Sequence, residues 1–145
     1  MPDRINSSSS RLRGYKDALE EQNVSFDKTL IYDVEPTIEA GYNTMKELLE
    51  RETVESVFCG CDLIAVGVME CILEKGFRIP EDIRIASYDD IEFAPYLKVP
   101  LTTVRQPTNV IGKIATSQLI EAITEGTENS ANIAIRPEVI VREST

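Results

Sequence analysis

Between Val57 and Pro107 the chain alternates strand-length apolar runs with a helix-length segment, and this alternation is the tightest constraint on its fold. The run VFC (57–59) is followed by DLIAVGVMECILEK (62–75) and then by IRIAS (83–87). Gly76 stands just past the helical segment and Pro80 soon after, the usual stop pattern for a helix. Short strands separated by helices argue for βαβ units, because parallel strands cannot be joined by a tight turn. The expected fold is therefore α/β with a parallel, doubly wound sheet. Ligands of such open sheets settle in the crevice outside the carboxyl ends of the strands. Asp89 and Asp90 follow the IRIAS run at that end, which puts a carboxylate pair where a small molecule would be held.

The flanks extend the pattern. Met1–Ser9 reads as a polar loop, with Ser8, Ser9 or Ser10 able to cap a helix over about 10–22. That helix lines up Leu12, Tyr15, Ala18, Leu19 and Gln22 on one side. TLIY (29–32) is suited to a buried strand, and a second helix over about 37–51 aligns Ile38, Tyr42, Met45, Leu48 and Leu49. Beyond Pro100, LTTV predicts a strand, and 108–124 a helix with Ile111, Ile114, Ala115, Leu119 and Ala122 on one face, ended by Gly126. Two extended pieces, Asn132–Ile135 and Glu138–Arg142, close the chain. Whether this tail completes the same sheet or another one is left open. A βα fold normally begins with a strand, whereas this chain opens directly into a helix. The expectation is a fragment of a longer protein, or a start site placed too far downstream.

Composition removes several functions. With 15 basic against 25 acidic side chains the net charge is −10, so phosphate backbones repel this chain and nucleic-acid binding by these residues is not expected. Histidine is absent, which removes the commonest general base and metal ligand and every triad that depends on it. The three cysteines, Cys59, Cys61 and Cys71, have neither CxxC nor Cys/His spacing and read as reduced thiols. No apolar run approaches the 18 or more residues of a membrane span, and the opening residues are polar, unlike a signal peptide.

A few side chains carry the candidate chemistry. Arg11, in the first turn of the first helix, points at the same end of the sheet as Asp89, and its paired donors suit hydroxyls, carboxylates or phosphates. A solvated first-turn arginine is the plainer alternative. Asp89 and Asp90 suit hydrogen bonding to a sugar or a purine, a Mg²⁺ ion, or simple turn chemistry. Asp62 is the natural N-cap of the helix over 62–75, with Cys61 beside it. Arg105 and Gln106 precede Pro107, where the chain would cross toward another lobe. Glycine-rich phosphate loops are missing. These features favour a binder over a catalyst.

Five stretches resemble the LacI/GalR family of transcription regulators. RLRGYKDAL (Arg11–Leu19) is similar to the family's R-L-x-G-aromatic helix, and Val57–Ile91 to its block of strand, helix, strand and Tyr-Asp-Asp turn. PLTTVRQP…IG (Pro100–Gly112) and the closing VIVREST (Val139–Thr145) resemble its crossover and C-terminus, and VEPTIEAGY the segment entering the second helix. The resemblance implies the C-terminal effector-binding part of such a regulator, with a periplasmic-binding-protein-like fold. Residues 1–101 would form the C-terminal lobe, and 102–145 the crossover strand, helix and tail belonging to the N-terminal lobe of an intact protein. It places Arg11, Asp89, Cys61 and Gln106 at the effector, a sugar or a purine, with Asp62 capping its helix at the cleft. Phe93, Tyr96 and Leu97 fall at the family's dimer interface, although a loop packed back on its own core is the alternative. The implied protein is a cytoplasmic homodimer without cofactor or metal, and it touches operator DNA only through an N-terminal domain that this chain lacks. Departures from the family pattern are Pro36 where an aromatic often covers the ligand, Cys61 for Asn, and Ala86–Ser87 before the Tyr-Asp-Asp. The competing readings are a transport-type sugar-binding protein of the same fold and a Mg²⁺-dependent phosphoacceptor or enzyme using Asp89 and Asp90.

Overall fold

The computed structural model describes residues 7–126 and 132–145. Its elements, in chain order, are α1 (Ser7–Glu21), a 3-10 turn (Lys28–Leu30), α2 (Ile38–Arg51), β1 (Ser56–Phe58), α3 (Asp62–Glu74), β2 (Arg84–Asp89), a second 3-10 turn (Ala94–Tyr96), β3 (Thr102–Arg105), α4 (Thr108–Glu125) and β4 (Glu138–Ile140). The four strands form one open sheet in the order β1-β2-β3-β4. β1, β2 and β3 are parallel, with Val57 opposite Ile85 and Ser87 opposite Thr103. β4 runs antiparallel to β3, pairing Val139 with Val104. An antiparallel edge on an otherwise parallel sheet is a common addition. The tail thus contributes two strands to the same sheet, which the sequence had left open.

The core lies between the sheet and the α2–α3 pair. α3 buries Ala65, Val68, Met69, Cys71 and Ile72 against Ile83, Ile85 and Leu101, and Met45 reaches the same cluster from α2. Each fully buried Ile, Leu or Met contributes about 1.5–3 kcal/mol of transfer free energy. α2 and α3 cross so closely that a Cβ on Gly41 would run into the carbonyl of Ile64, and one on Gly67 into that of Ile38. Only glycine lets the two backbones touch there. α3 ends where Gly76 takes φ +84°, and the Gly76 and Phe77 N–H groups bond back to Leu73 and Ile72.

Three local expectations need correction. The first helix begins at Ser7, so Ser8, Ser9 and Ser10 lie inside it; of the polar opening read as Met1–Ser9, residues 1–6 lie outside the described residues. TLIY is not a buried strand. Residues Lys28–Leu30 form a 3-10 turn capped by Asp27, whose carboxylate accepts the Thr29 N–H at 2.8 Å and its hydroxyl at 2.7 Å, and Leu30 and Tyr32 are exposed. A strand needs a neighbour for its backbone groups, and this segment has none in the sheet, so the local aspartate turn wins. Asn132–Ile135 joins no strand, and β4 covers only Glu138–Ile140 of the predicted 138–142.

Candidate functional site

The carboxyl ends of β2 and β3 meet the start of α4 around an open cavity of about 500 Å³. Asp89, Asp90, Gln106 and the first turn of α4 (Thr108, Asn109, Val110) line it. Arg11 reaches this end of the sheet from α1. Its guanidinium donates to the Gly60 carbonyl at 2.6 Å, stands 3.5 Å from the Asp89 carboxylate and lies 4.0 Å over the centroid of the Tyr88 ring. Gln106 points its amide at the same Asp89 oxygen, also at 3.5 Å.

Both approaches to Asp89 are at the outer limit of hydrogen bonding and weak. Removal from water therefore dominates at Asp89 and pushes its carboxyl above the ordinary value. Arg11 pulls it back down, Asp62 adds to the rise, and the Gln106 hydrogen bond lowers it. An acceptor flanked by two loosely engaged donors suits a neutral molecule carrying both O–H donors and acceptors. Asp90 differs. Its side chain is 7% exposed against 36% for Asp89, and it is fully engaged. Arg105 Nε donates to one of its oxygens at 2.5 Å and Arg142 to the other at 2.6 Å. Burial alone would raise the Asp90 carboxyl, but the hydrogen bonds from Arg142 and Arg105 outweigh it and hold the group below its usual range.

Asp62 does not cap α3. Cys61 takes the N-cap position without a side-chain cap bond, and the carboxylate of Asp62, fully buried, turns to the sheet. It accepts the Thr103 hydroxyl at 2.7 Å and the Ile91 N–H at 2.9 Å. Asp62 therefore ties the segment after Asp90 to β3, because a buried carboxylate needs more partners than helix N–H groups alone would supply here. Cys61 is half-buried and adjoins Gly60, whose carbonyl holds Arg11. Burial pushes the neighbouring Cys59 thiol up, keeping it protonated and inert.

Arg11, Asp89 and Gln106 are thus brought together at one end of the sheet. Phe93 and Tyr96 are exposed, with Tyr96 at 83%, whereas Leu97 is partly buried and packs against the core. Tyr88, Thr103 and Arg142 escaped the sequence reading. Arg142 was hidden because its neighbours invert the usual pattern: Val139 and Val141 are exposed while the arginine side chain is only 12% exposed. Among the described residues, no group of three or more His, Cys, Asp or Glu side chains is arranged to hold a metal ion, and no helix is long and apolar enough to cross a membrane.

Comparison with known proteins agrees with this fold. The model of the periplasmic binding protein-like domain matches residues 2–145. The ribose operon repressor of Haemophilus influenzae is 38% identical over 136 residues, covering 93% of this chain and 41% of the repressor. The structure of a CelR transcriptional regulator–cellobiose complex superposes with a TM-score of 0.86 at 33% identity, over 93% of this chain and 42% of that one. A LacI family transcriptional regulator from Enterococcus faecium with bound ribose gives a TM-score of 0.88 at 28% identity, over 95% of this chain and 51% of the other. The chain spans about two-fifths to one-half of these relatives. More than nine-tenths of the chain carries their fold, and the chain belongs to the periplasmic binding protein-like domain family, in the form found in LacI-family regulators.

Proposed function

We propose that this chain is the effector-sensing and dimerisation part of a LacI-type transcriptional repressor. The observation that carries the reading is the approach of Arg11 and Gln106 to the Asp89 carboxylate, where Asp89 and Gln106 line a cavity at the carboxyl ends of the parallel strands. The relatives found with cellobiose or ribose bound support a sugar effector, with a purine as the second class. Cys61, beside the Arg11-bound Gly60, belongs to the same site. Residues 1–101 form the bulk of one lobe. Residues 102–145 are the crossover, whose strands stay in this sheet while α4 departs toward a first lobe. Binding across two lobes changes how they meet, and the linked equilibrium biases a distant DNA-binding head. That head is an N-terminal part outside these 145 residues, since a net charge of −10 repels operator phosphates. Phe93 and Tyr96 are the exposed side chains on which a second copy would pack, with Leu97 beneath them. The protein acts in the cytoplasm, without a cofactor and without catalysis.

The test is calorimetric titration of D-ribose, cellobiose and hypoxanthine into the chain and into any longer natural form of it. Saturable binding of one of them that Asp89→Ala and Arg11→Ala each weaken tenfold or more, on the order of 1.4 kcal/mol or above, is expected. Binding indifferent to both substitutions would remove these residues from the site.

A further inference from the structure

The turn that carries Asp89 is held in an unfavourable shape. Asp89 and Asp90 are consecutive non-glycine residues with φ of +126° and +56°. Such backbone persists only where the surroundings over-determine it. Two grips act on the main chain: Thr103 Oγ1 accepts the Asp90 N–H at 3.3 Å, and Asp62 accepts the Ile91 N–H at 2.9 Å. The remaining grip is ionic and acts on the Asp90 carboxylate, through Arg105 and Arg142.

The two arginines are not equivalent. Arg105 is half-exposed, at 50%, and sits at the end of β3 where the chain leaves for α4. Arg142 is 12% exposed and braced on every side. Its other terminal nitrogen donates to the Leu101 carbonyl at 2.6 Å, and its own N–H goes to Thr102 Oγ1 at 2.8 Å. Two residues on, Ser144 is buried with its hydroxyl donating to the Ile85 carbonyl at 2.7 Å and accepting the Thr102 N–H at 2.8 Å. A buried, braced cation is screened far less than an exposed one. Losing it would leave a buried carboxylate half-paired.

We propose that Arg142 is a positioning residue: from the C-terminal tail it grips Asp90, and through Asp90 it keeps the Asp89 turn in the backbone shape that presents Asp89 to the cavity. Its consequence for ligand affinity rests on the effector-binding reading; its consequence for the turn does not. The segment after β4 is thereby part of the site without lining it.

The experiment is NMR on the 145-residue chain without ligand. Positive φ brings a residue's own amide and α protons close together, so Asp89 and Asp90 give strong intraresidue cross-relaxation peaks. In Arg142→Gln both peaks lose most of their intensity and the Asp90 carboxyl titrates at higher pH. Methyl signals of Met45 and Ile72 stay in place, and Arg142→Lys restores the turn in part. Undiminished peaks at Asp89 and Asp90 in folded Arg142→Gln would overturn the proposal. Should that variant not fold, Asp90→Asn decides: it keeps the side-chain shape and removes the charge, so an unaltered turn refutes the proposal and a relaxed one supports it. Because no sugar or base is present, the outcome is independent of whether an effector is found.

Discussion

α3 and α4 are both apolar, amphipathic helices that follow a strand, yet they end in opposite surroundings. α3, 13 residues long, buries Asp62, Ala65, Gly67, Val68, Met69, Cys71 and Ile72 between α2 and the sheet. α4, 18 residues long, buries none, and Leu119, Ile120 and Ile123 are 61%, 56% and 72% exposed. Periodicity tells which residues of a helix face the same way; it does not tell what they face. Both helices were legible, but only α3 has a surface to meet within this chain. Helical structure at α4 thus rests on its own hydrogen bonds and on Gly126 in the left-handed region at its end, whereas α3 is held by packing.

The contrast breaks first at the core. Ile72→Ala is expected to cost about 2–5 kcal/mol in urea unfolding, while Ile123→Ala on α4 stays within about 0.5 kcal/mol. Equal losses would mean that α4 is covered in solution, and that the exposed face is an interface.

A sharper version probes the α2–α3 crossing. Gly67→Ala gains helix propensity but places a methyl in the Ile38 carbonyl, and a net loss of about 1–3 kcal/mol is expected in the same measurement. The alanine exchange at Gly112, where a Cβ meets nothing, is expected to stabilise by up to about 1 kcal/mol.

The smallest effect is read through pH. Asp90, lowered in the folded chain, contributes stability that is complete above the ordinary carboxylate value of 3.8 and is lost as pH falls through its folded value. Asp89, raised, works the other way: its contribution is present below 3.8 and is lost as pH rises through its folded value. In denaturation followed between pH 6 and 2, Asp89→Asn is expected to steepen the acid loss and Asp90→Asn to flatten it. Parallel curves for the two variants would mean that the carboxylates share one environment.

Much of this was readable in the residues. The strands and helices from Val57 to Pro107 declared themselves through spacing and stop residues, Asp89 and Gln106 through their place after strands, and Arg11 as an arginine early in the first helix. TLIY misled because β-branched and aromatic residues state a preference, and the missing neighbour decided otherwise. Asp62 misled because its cap position was obvious, while its true partners, Thr103 and Ile91, lie 41 and 29 positions away. Arg142 was invisible because its partner is 52 positions distant and the valines flanking it face outward while the arginine faces inward. Ser87 remains as an exception: its buried hydroxyl has no partner among the described residues.

Ser144 has a temporal consequence. Its hydroxyl and carbonyl close bonds to Ile85 across 59 positions of sequence. At elongation rates of about 5–20 residues per second, a ribosome delivers Ile85 roughly 3–12 s before its partner. Through that interval β2 has emerged without the residue that bridges it to β3, and Asp90 without Arg142. The nascent chain can therefore assemble the α2–α3 core early, but the ligand end of its sheet is finished last.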